Sequence, residues 1–272
     1  MFYLKDQILA IPPKTKKIIF TANKQLDMKK IFLSMALIGC LNLFAQNEVY
    51  EIRTYELFQY SNFKNFNTYF EDHFIPILNQ KGINNIGVFQ EVSEDLPRKI
   101  YVFIPFADME TYRKARSLMA SDAKIQKASA EISPVNRPIF NRYETSLYMA
   151  FDGMPKMVKP DDKNRFFELR TYESHSEDAY RRKVNMFNEG ELELFEQLDF
   201  GSVFFGDKIA GDRMPCLTYM LAFESLEERN ENWGQFFDHP TWTKLKSDPA
   251  YKESCCSSIT RAFLTALPYS QL

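Results

Sequence analysis

The heptapeptide Tyr50–Glu56, YEIRTYE, occurs again as Phe167–Glu173, FELRTYE, and this repeat is the strongest indication of the fold. Five of the seven residues are identical, and the other two positions exchange Tyr for Phe and Ile for Leu. Aromatic and β-branched residues at this density are typical of a β-strand. A strand that begins at residue 50 and is repeated from residue 167 indicates that one structural unit is present twice.

The segments that follow the two heptapeptides share one order of predicted elements. A helix with an apolar stripe comes first, and in the first copy the stripe includes Phe66, Phe70 and Phe74. Two strands, a second helix and a last strand follow. The order β-α-β-β-α-β is that of the ferredoxin-like unit, which places helices on one face of an antiparallel sheet.

The repeat also predicts the organisation of the whole chain. We predict a first unit at residues 48–151 and a second at 164–268, joined by a polar linker at 152–163 that contains two prolines. Each unit leaves one face of its sheet uncovered, and two units can bury these faces against each other. The predicted fold class is therefore α+β, with two tandem ferredoxin-like (β-α-β-β-α-β) units that form an intramolecular dimeric α+β barrel.

Composition excludes several classes of function. The 272 residues have a formal net charge of −2, which argues against nucleic acid as a partner. The 9 glycines form neither GxGxxG nor GxxxxGK[ST], so a nucleotide site is not expected. The 3 histidines are scattered without ligand spacing, and we expect no metal and no cofactor.

The first 45 residues have the pattern of a targeting segment. Lys29 and Lys30 precede the apolar run Ile31–Leu43, which is typical of a signal peptide at residues 28–45 and is too short to span a membrane. Residues 1–27 are then an extension upstream of the natural start. We expect an exported protein, periplasmic or secreted, without a transmembrane segment in the mature chain. In a second interpretation Cys40, in LIGC, is the lipidated residue of a lipoprotein.

Three cysteines would remain after removal of such a segment. They are Cys216, Cys255 and Cys256. An odd number in an oxidising compartment leaves at least one thiol without an intramolecular partner. The sequence does not decide which of the two neighbouring cysteines, if either, pairs with Cys216.

The duplicated strand also provides the candidate ligand residues. Alternation places Glu51, Arg53 and Tyr55 on one face and Ile52 on the other. We expect the apolar face to contact the helices and the polar row to face the barrel interior. The row then forms either a structural ion-pair network or a ligand site in which arginine holds an anion. The equivalent residues of the second copy are Glu168, Arg170 and Tyr172.

Three stretches resemble the NIPSNAP family. They are the E-[IL]-R-T-Y motifs, GINNIGVFQ at residues 82–90, and FDHPTWTKL at residues 237–245, whose Pro-x-Trp is missing from the first copy. The resemblance covers roughly residues 48–267 and implies the dimeric α+β-barrel fold. It implies little about activity, because the family has no agreed catalytic motif. The same fold also occurs in cofactor-free oxygenases and isomerases, which is an analogy of fold only.

Two functional hypotheses follow. In the first, the protein binds a small molecule or a partner surface in or around the barrel. The sequence does not decide whether the protein also associates into a homo-oligomer. In the second, it is a cofactor-free enzyme, monooxygenase- or isomerase-like, that acts on a small hydrophobic acid or ketone inside the barrel. There Arg53 or Arg170 would hold the anion. His73, which has Gly190 as its counterpart in the second copy, or a tyrosine would transfer the proton.

Overall fold

A computed structural model describes residues 46–59, 63–93, 95–133, 138–251 and 256–272. The predicted extension, the signal peptide, Cys40 and Cys255 lie outside these residues, so their predictions stay predictions. Among the described residues, no helix combines the length and the apolar character that crossing a membrane requires.

The described part of the first copy contains four strands in the predicted order and three helices, because two helices stand where the sequence indicated a single second helix. The strands are β1 (Val49–Leu57), β2 (Gly87–Glu91), β3 (Lys99–Phe106) and β4 (Phe140–Ala150). Helix α1 lies between β1 and β2 and runs through the contiguous segments Phe63–Thr68, Tyr69–Phe74 and Ile75–Asn79, of which the middle one is π-helical. Helices α2 (Met109–Ser121) and α3 (Ala123–Ile132) lie between β3 and β4.

The second copy repeats this arrangement. Its strands are β5 (Phe166–Ser174), β6 (Gly201–Ala210), β7 (Cys216–Phe223) and β8 (Cys256–Ala266). Helix α4 runs through Glu177–Met186, the π-helical Phe187–Glu191 and Leu192–Gln197. Helices α5 (Leu226–Asp238) and α6 (Pro240–Ser247) follow β7. The two copies therefore share even the π-helical turn in their first long helix.

Helix starts are conserved between the copies although the capping residues differ. Asp108 caps α2 by accepting a hydrogen bond of 2.6 Å from Thr111 N. Ser225 caps α5 by accepting one of 3.2 Å from Glu228 N. Both residues satisfy an N–H group that would otherwise lack a partner at a helix start. Because both caps follow a phenylalanine that ends a strand, the same strand-to-helix turn forms in each copy.

The eight strands form one closed barrel in the order β1-β3-β2-β8-β5-β7-β6-β4. Each copy has the ferredoxin-like order, and the edge strands join the copies: β2 pairs with β8, and β4 pairs with β6. Closure removes the exposed strand edges that an isolated four-stranded sheet would present. The predicted fold class is confirmed.

The two faces of the duplicated strand are the reverse of those predicted. Ile52 and Leu169 lie in the apolar cluster that fills the barrel interior. Tyr55 instead packs edge-on against Phe66 and Phe70 of α1. The Glu/Arg/Tyr rows therefore lie between the sheet and the helices, outside the barrel. The physical reason is that an interior shared by two similar copies would bring like charges together, whereas each helical layer supplies its own partners.

Residues 267–272 close one end of the barrel. Leu272 is 1% exposed within the interior cluster, and its Cδ1 is 2.8 Å from where a Cβ on Gly87 would lie. Gln271 binds the backbone of Ile86 twice, through its own N–H and through Oε1. A side chain larger than glycine at position 87 would therefore collide with Phe89 and Leu272, so this end of the barrel is filled.

Replacing Leu272, which fills this end of the barrel, should destabilise the fold. We expect Leu272→Ala to lower the free energy of unfolding by about 2–5 kcal/mol, because it leaves a void in a close-packed interior. The matched control is Leu96→Ala, since Leu96 is 66% exposed and its loss should cost less than about 0.5 kcal/mol. Urea denaturation measures the free energy of unfolding of both variants. Equal losses would contradict the conclusion that Leu272 fills this end of the barrel.

Candidate functional site

The first Glu/Arg/Tyr row is a buried ion pair with additional contacts. Arg53 donates from Nε to Glu51 Oε1 at 2.9 Å and from Nη2 to Glu51 Oε2 at 3.0 Å. Thr145 Oγ1 donates to the same carboxylate at 3.0 Å. The guanidinium also lies 3.4 Å from Tyr55 Oη and 3.2 Å from Met119 Sδ. The predicted pairing within this copy is therefore present.

The second row has more partners for its carboxylate. Arg170 donates to Glu168 Oε1 at 2.8 Å, and Arg229 donates to both carboxylate oxygens at 2.7 and 2.9 Å. Trp233 Nε1 adds a fourth hydrogen bond of 2.8 Å. The Arg170 guanidinium lies 4.4 Å from the centroid of the Trp233 ring and donates to Tyr172 Oη. Every charge of this row is paired or stacked.

The electrostatics agree with a fixed charge on Glu168 and on both arginines. Burial by itself would raise the pKa of Glu168, but the hydrogen bond from Arg229 and the charges of Arg170 and Arg229 hold it below its usual value. Burial would likewise lower the pKa of Arg53, and the neighbouring Tyr55 and Glu51 raise it instead. Both arginines are permanent cations, and neither can accept a proton.

The first copy has an open space beside its row. We call this space the helix-side cavity; it has a volume of about 360 Å³. It lies between the sheet and helices α1, α2 and α3. Its residues are Arg53, Tyr55, Tyr69, Phe74, Arg116, Met119, Ala120, Ile125, Gln126, Ser129, Ser133, Ile139, Phe140 and Tyr143.

In the second copy larger side chains occupy the equivalent positions. Equivalence follows from α2 (Met109–Ser121) and α5 (Leu226–Asp238), which have equal length and follow equivalent strands. Trp233 corresponds to Arg116, and Phe236 corresponds to Met119. Trp233 and Phe236 are 5% and 1% exposed and pack against each other. The space that is open in the first copy is thus filled by aromatic rings.

A buried ion pair fills more of the second copy. Lys183 Nζ binds Glu191 Oε1 within α4, and both residues are buried. The ammonium lies 4.7 Å from the Phe187 ring centroid and 5.7 Å from that of Trp242. Burial alone would lower the pKa of Lys183, but the Glu191 carboxylate raises it.

Arg116 is the cation of the helix-side cavity with the most freedom to bind. Its side chain is 44% exposed, and its nearest anionic partner is Glu51 Oε1 at 3.8 Å. A hydrogen bond with Tyr143 raises its pKa. Arg53, in contrast, is 4% exposed and bonded to Glu51 twice. Arg116 was not among the candidates predicted from the sequence, although the exchange of arginine for tryptophan between the copies was a usable signal.

The catalytic candidate His73 lies apart from this cavity. It is half-buried in the π-helical turn of α1, and it lines neither the helix-side cavity nor the space inside the barrel. In the described part of the chain, no group of three His, Cys, Asp or Glu residues is arranged to hold a metal. Cys216 is a buried free thiol, and Cys256 is half-buried at the start of β8.

The Glu168 network should be a major and pH-dependent source of stability. Glu168→Gln should cost about 3–5 kcal/mol at neutral pH, because it leaves two buried arginines without their carboxylate. The folded pKa is lower than the unfolded one. The stabilisation is therefore complete above the unfolded value of about 4.3 and is lost as the pH falls through the folded value. Denaturation at neutral and at acid pH should show the variant and the wild type converging in acid.

The matched control is Glu110→Gln. Glu110 forms an ion pair with Arg113 on the surface of α2, where its side chain is 52% exposed. This substitution should change the free energy of unfolding little. A Glu168→Gln variant as stable as this control would mean that the network contributes nothing.

Comparisons with known proteins agree with the duplicated α+β-barrel fold. The model of the NIPSNAP family matches residues 50–143 and 167–271. Among solved structures, a proposed monooxygenase from Lactobacillus acidophilus has a TM-score of 0.56 at 12% identity, covering 81% of this chain and 94% of its own. A proposed monooxygenase from Fusobacterium nucleatum has a TM-score of 0.56 at 8% identity, covering 82% of this chain and 94% of its own.

A shorter relative from Agrobacterium tumefaciens, a NIPSNAP family protein of unknown function, is 16% identical with a TM-score of 0.34, covering 40% of this chain and 94% of its own. Among curated proteins, none matches. At these identities the likeness to the two proposed monooxygenases shows the fold alone. The family model, however, matches both copies of the repeat and most of the chain, and the protein therefore belongs to the NIPSNAP family.

Proposed function

We propose that the protein binds a small aromatic molecule with an anionic group in the helix-side cavity of its first copy. The observation on which this rests is the asymmetry of the two copies. The same space is open beside Arg53 and filled beside Arg170. Packing favours filled interiors, so a cavity retained in one copy needs a reason, and a ligand is one.

The lining of the cavity supports this class of ligand. Its volume of about 360 Å³ falls in the range typical of small-molecule sites. Tyr69, Phe74 and Phe140 offer aromatic surface, against which a flat apolar group can pack. Arg116 offers a guanidinium that can pair with a carboxylate. Gln126 and Ser129 of α3 add polar groups on the opposite wall.

Arg53 then has a different role from the one predicted. Its donors are already bound to Glu51, Tyr55 and Met119, so it is a positioning residue that holds the polar wall of the cavity. Arg116 is the residue that contacts the anion. The candidates Arg170, Tyr172 and Glu168 belong to a structural network in this proposal, because their equivalent space is filled.

We also propose that binding takes place after export. The support is the sequence pattern of residues 28–45, in which a basic pair precedes a short apolar run. The lipoprotein alternative at Cys40 would place the same barrel at a membrane surface. Mass spectrometry of the protein from its native cell distinguishes a mature chain beginning near Gln46 from one with a lipidated Cys40.

An enzymatic role for the helix-side cavity has less support than binding. Proton abstraction near neutral pH needs a base. Among the described residues that line the cavity there is no histidine and no carboxylate. Burial raises the pKa of Tyr69 to about 12 and raises that of Tyr55, so both phenols stay protonated at neutral pH. They can donate hydrogen bonds to a ligand, which agrees with binding.

Binding of 2-naphthoate and its uncharged analogue 2-naphthamide tests the proposal. Arg116→Met should weaken 2-naphthoate about ten- to a hundred-fold, because it removes a charge-assisted hydrogen bond. It should leave 2-naphthamide unchanged. Arg116→Trp should abolish binding of both, because it introduces the ring that fills this space in the second copy. Fluorescence titration of the wild type and of both variants with each probe measures these affinities.

The control variant is Arg113→Met, on the same helix. Arg113 is 68% exposed and paired with Glu110, so its loss should change neither affinity. Thermal unfolding of each variant checks that the fold is intact. Failure of the wild type to bind either probe, or equal effects of Arg113→Met and Arg116→Met, would refute this assignment.

A further inference from the structure

The inside of the barrel is only partly filled. One end is closed by the apolar cluster around Leu272, and the other end contains a space of about 700 Å³ that we call the lumen cavity. Ile52, Leu169 and Ala262 form its apolar part. A space of this size is within the range of small-molecule sites. It lies on the opposite face of the sheet from the helix-side cavity.

One wall of the lumen cavity offers hydrogen-bond donors. Lys208 projects inward from β6 with a side chain only 4% exposed, and its ammonium donates to Asp212 O at 3.0 Å and to Asp212 Oδ1 at 3.2 Å. Thr218 Oγ1 donates to Tyr148 Oη at 3.3 Å, which leaves the Tyr148 hydroxyl hydrogen to point elsewhere. Lys208 and Tyr148 lie together, with the ammonium 5.5 Å from the ring centroid.

Lys208 keeps its positive charge although it is buried. Burial alone would lower the pKa of Lys208, but Tyr148, Cys216 and Asp212 raise it, so it stays a cation. Asp212, its partner, has a side chain that is 59% exposed. Water therefore screens the Asp212 carboxylate more than it screens the buried ammonium, and the wall presents a net positive charge to the lumen.

The opposite wall carries the opposite charge. Glu91 is the last residue of β2, and Lys208 lies near the end of β6. Glu91 pairs with Leu264 of β8, and Lys208 pairs with Tyr148 of β4. The two positions are 117 residues apart, which is the spacing of the repeat, and β2 and β6 lie on opposite sides of the barrel, four strands apart in its order. The Tyr101 hydroxyl binds the Glu91 carboxylate, and burial together with that carboxylate raises the pKa of Tyr101.

We propose that the lumen cavity is a second ligand site, independent of the helix-side cavity, and that it binds a zwitterion of amino-acid to dipeptide size. The ligand carboxylate lies at Lys208 and Tyr148, and its ammonium lies at Glu91. Its apolar side chain packs on Ile52, Leu169 and Ala262. If the two copies were identical, positions 91 and 208 would carry the same charge. Because they carry opposite charges, the lumen has a dipole that matches a zwitterionic ligand.

Apart from Lys208 and Glu91, the charged residues that line the lumen cavity balance in sign: Glu56, Glu144 and Asp212 are acidic, and Lys99, Arg213 and Arg261 are basic. Arg142 pairs with Glu56 at 2.8 Å, and Arg213 lies 3.7 Å from Glu173. These groups neutralise one another at the mouth. A simple anion would be attracted by Lys208 but repelled by Glu91. A simple cation would be attracted by Glu91 but repelled by Lys208. Only a molecule with both charges gains at both walls.

Titration calorimetry with phenylalanine, its methyl ester and its N-acetyl derivative tests the site. The wild type should bind phenylalanine, and each derivative should bind about ten- to a hundred-fold more weakly, because each removes one charge. Lys208→Met should weaken phenylalanine by a similar factor without weakening the ester further. Glu91→Gln should weaken phenylalanine without weakening the N-acetyl derivative further. This pattern of non-additivity assigns each charge to its wall.

The matched controls are Lys127→Met and Glu131→Gln. These residues form an exposed pair on α3, with side chains 77% and 64% exposed, and their loss should change no affinity. The three ligands on the wild type test the proposal even if a lumen variant fails to fold. No binding of phenylalanine at millimolar concentration overturns it. Binding of the N-acetyl derivative as tight as that of phenylalanine also overturns it, because the site would then take a simple anion.

Discussion

The buried charges of the duplicated strand must be paired, and this requirement determines which face of each sheet points inward. Arg53 and Arg170 are both nearly inaccessible to water. If both pointed into a common interior, two cations and two anions would have to be satisfied in one low-dielectric space. With the rows outside, α2 and α5 supply separate partners, Arg116 in one copy and Arg229 with Trp233 in the other. The interior is then free to be apolar at one end and open at the other.

The sequence was sufficient to predict the architecture because the repeat extends through every element. Strand order, the helix starts and the closed barrel follow from the ferredoxin-like unit and from its duplication. The face assignment failed because the alternating pattern carries no sign of direction when both faces of a strand are buried. Ile52 contacts the interior and Tyr55 contacts α1, and apolar and polar residues are equally well covered. Direction was decided by the helices, which the pattern of one strand does not contain.

The two cavities were harder to predict for different reasons. The helix-side cavity depends on which side chain stands at one position of the second helix, arginine or tryptophan, and on whether neighbouring rings fill the space that results. The lumen cavity depends on the length of β6. This strand continues through Lys208 to Ala210, and Lys208 lines the lumen cavity. The relation of Lys208 to Glu91 depends on which strands are neighbours and in which register they pair, and the residue pattern of a single strand does not contain that information.

Duplication within one chain explains how the copies could diverge. In a dimer of identical subunits, a change that fills one space fills both. Fusion removes this restriction, so the second copy has become a densely packed half, with Trp233 over Arg170 and Lys183 paired to Glu191. The first copy keeps the helix-side cavity and depends on the second for closure of the barrel. Strand β1 is the shared wall: Arg53 and Tyr55 face one cavity, and Ile52 and Thr54 face the other. Since β1 is hydrogen-bonded to both β3 and β4 along its length, the shape of each cavity is set by side chains, and one can change without moving the other.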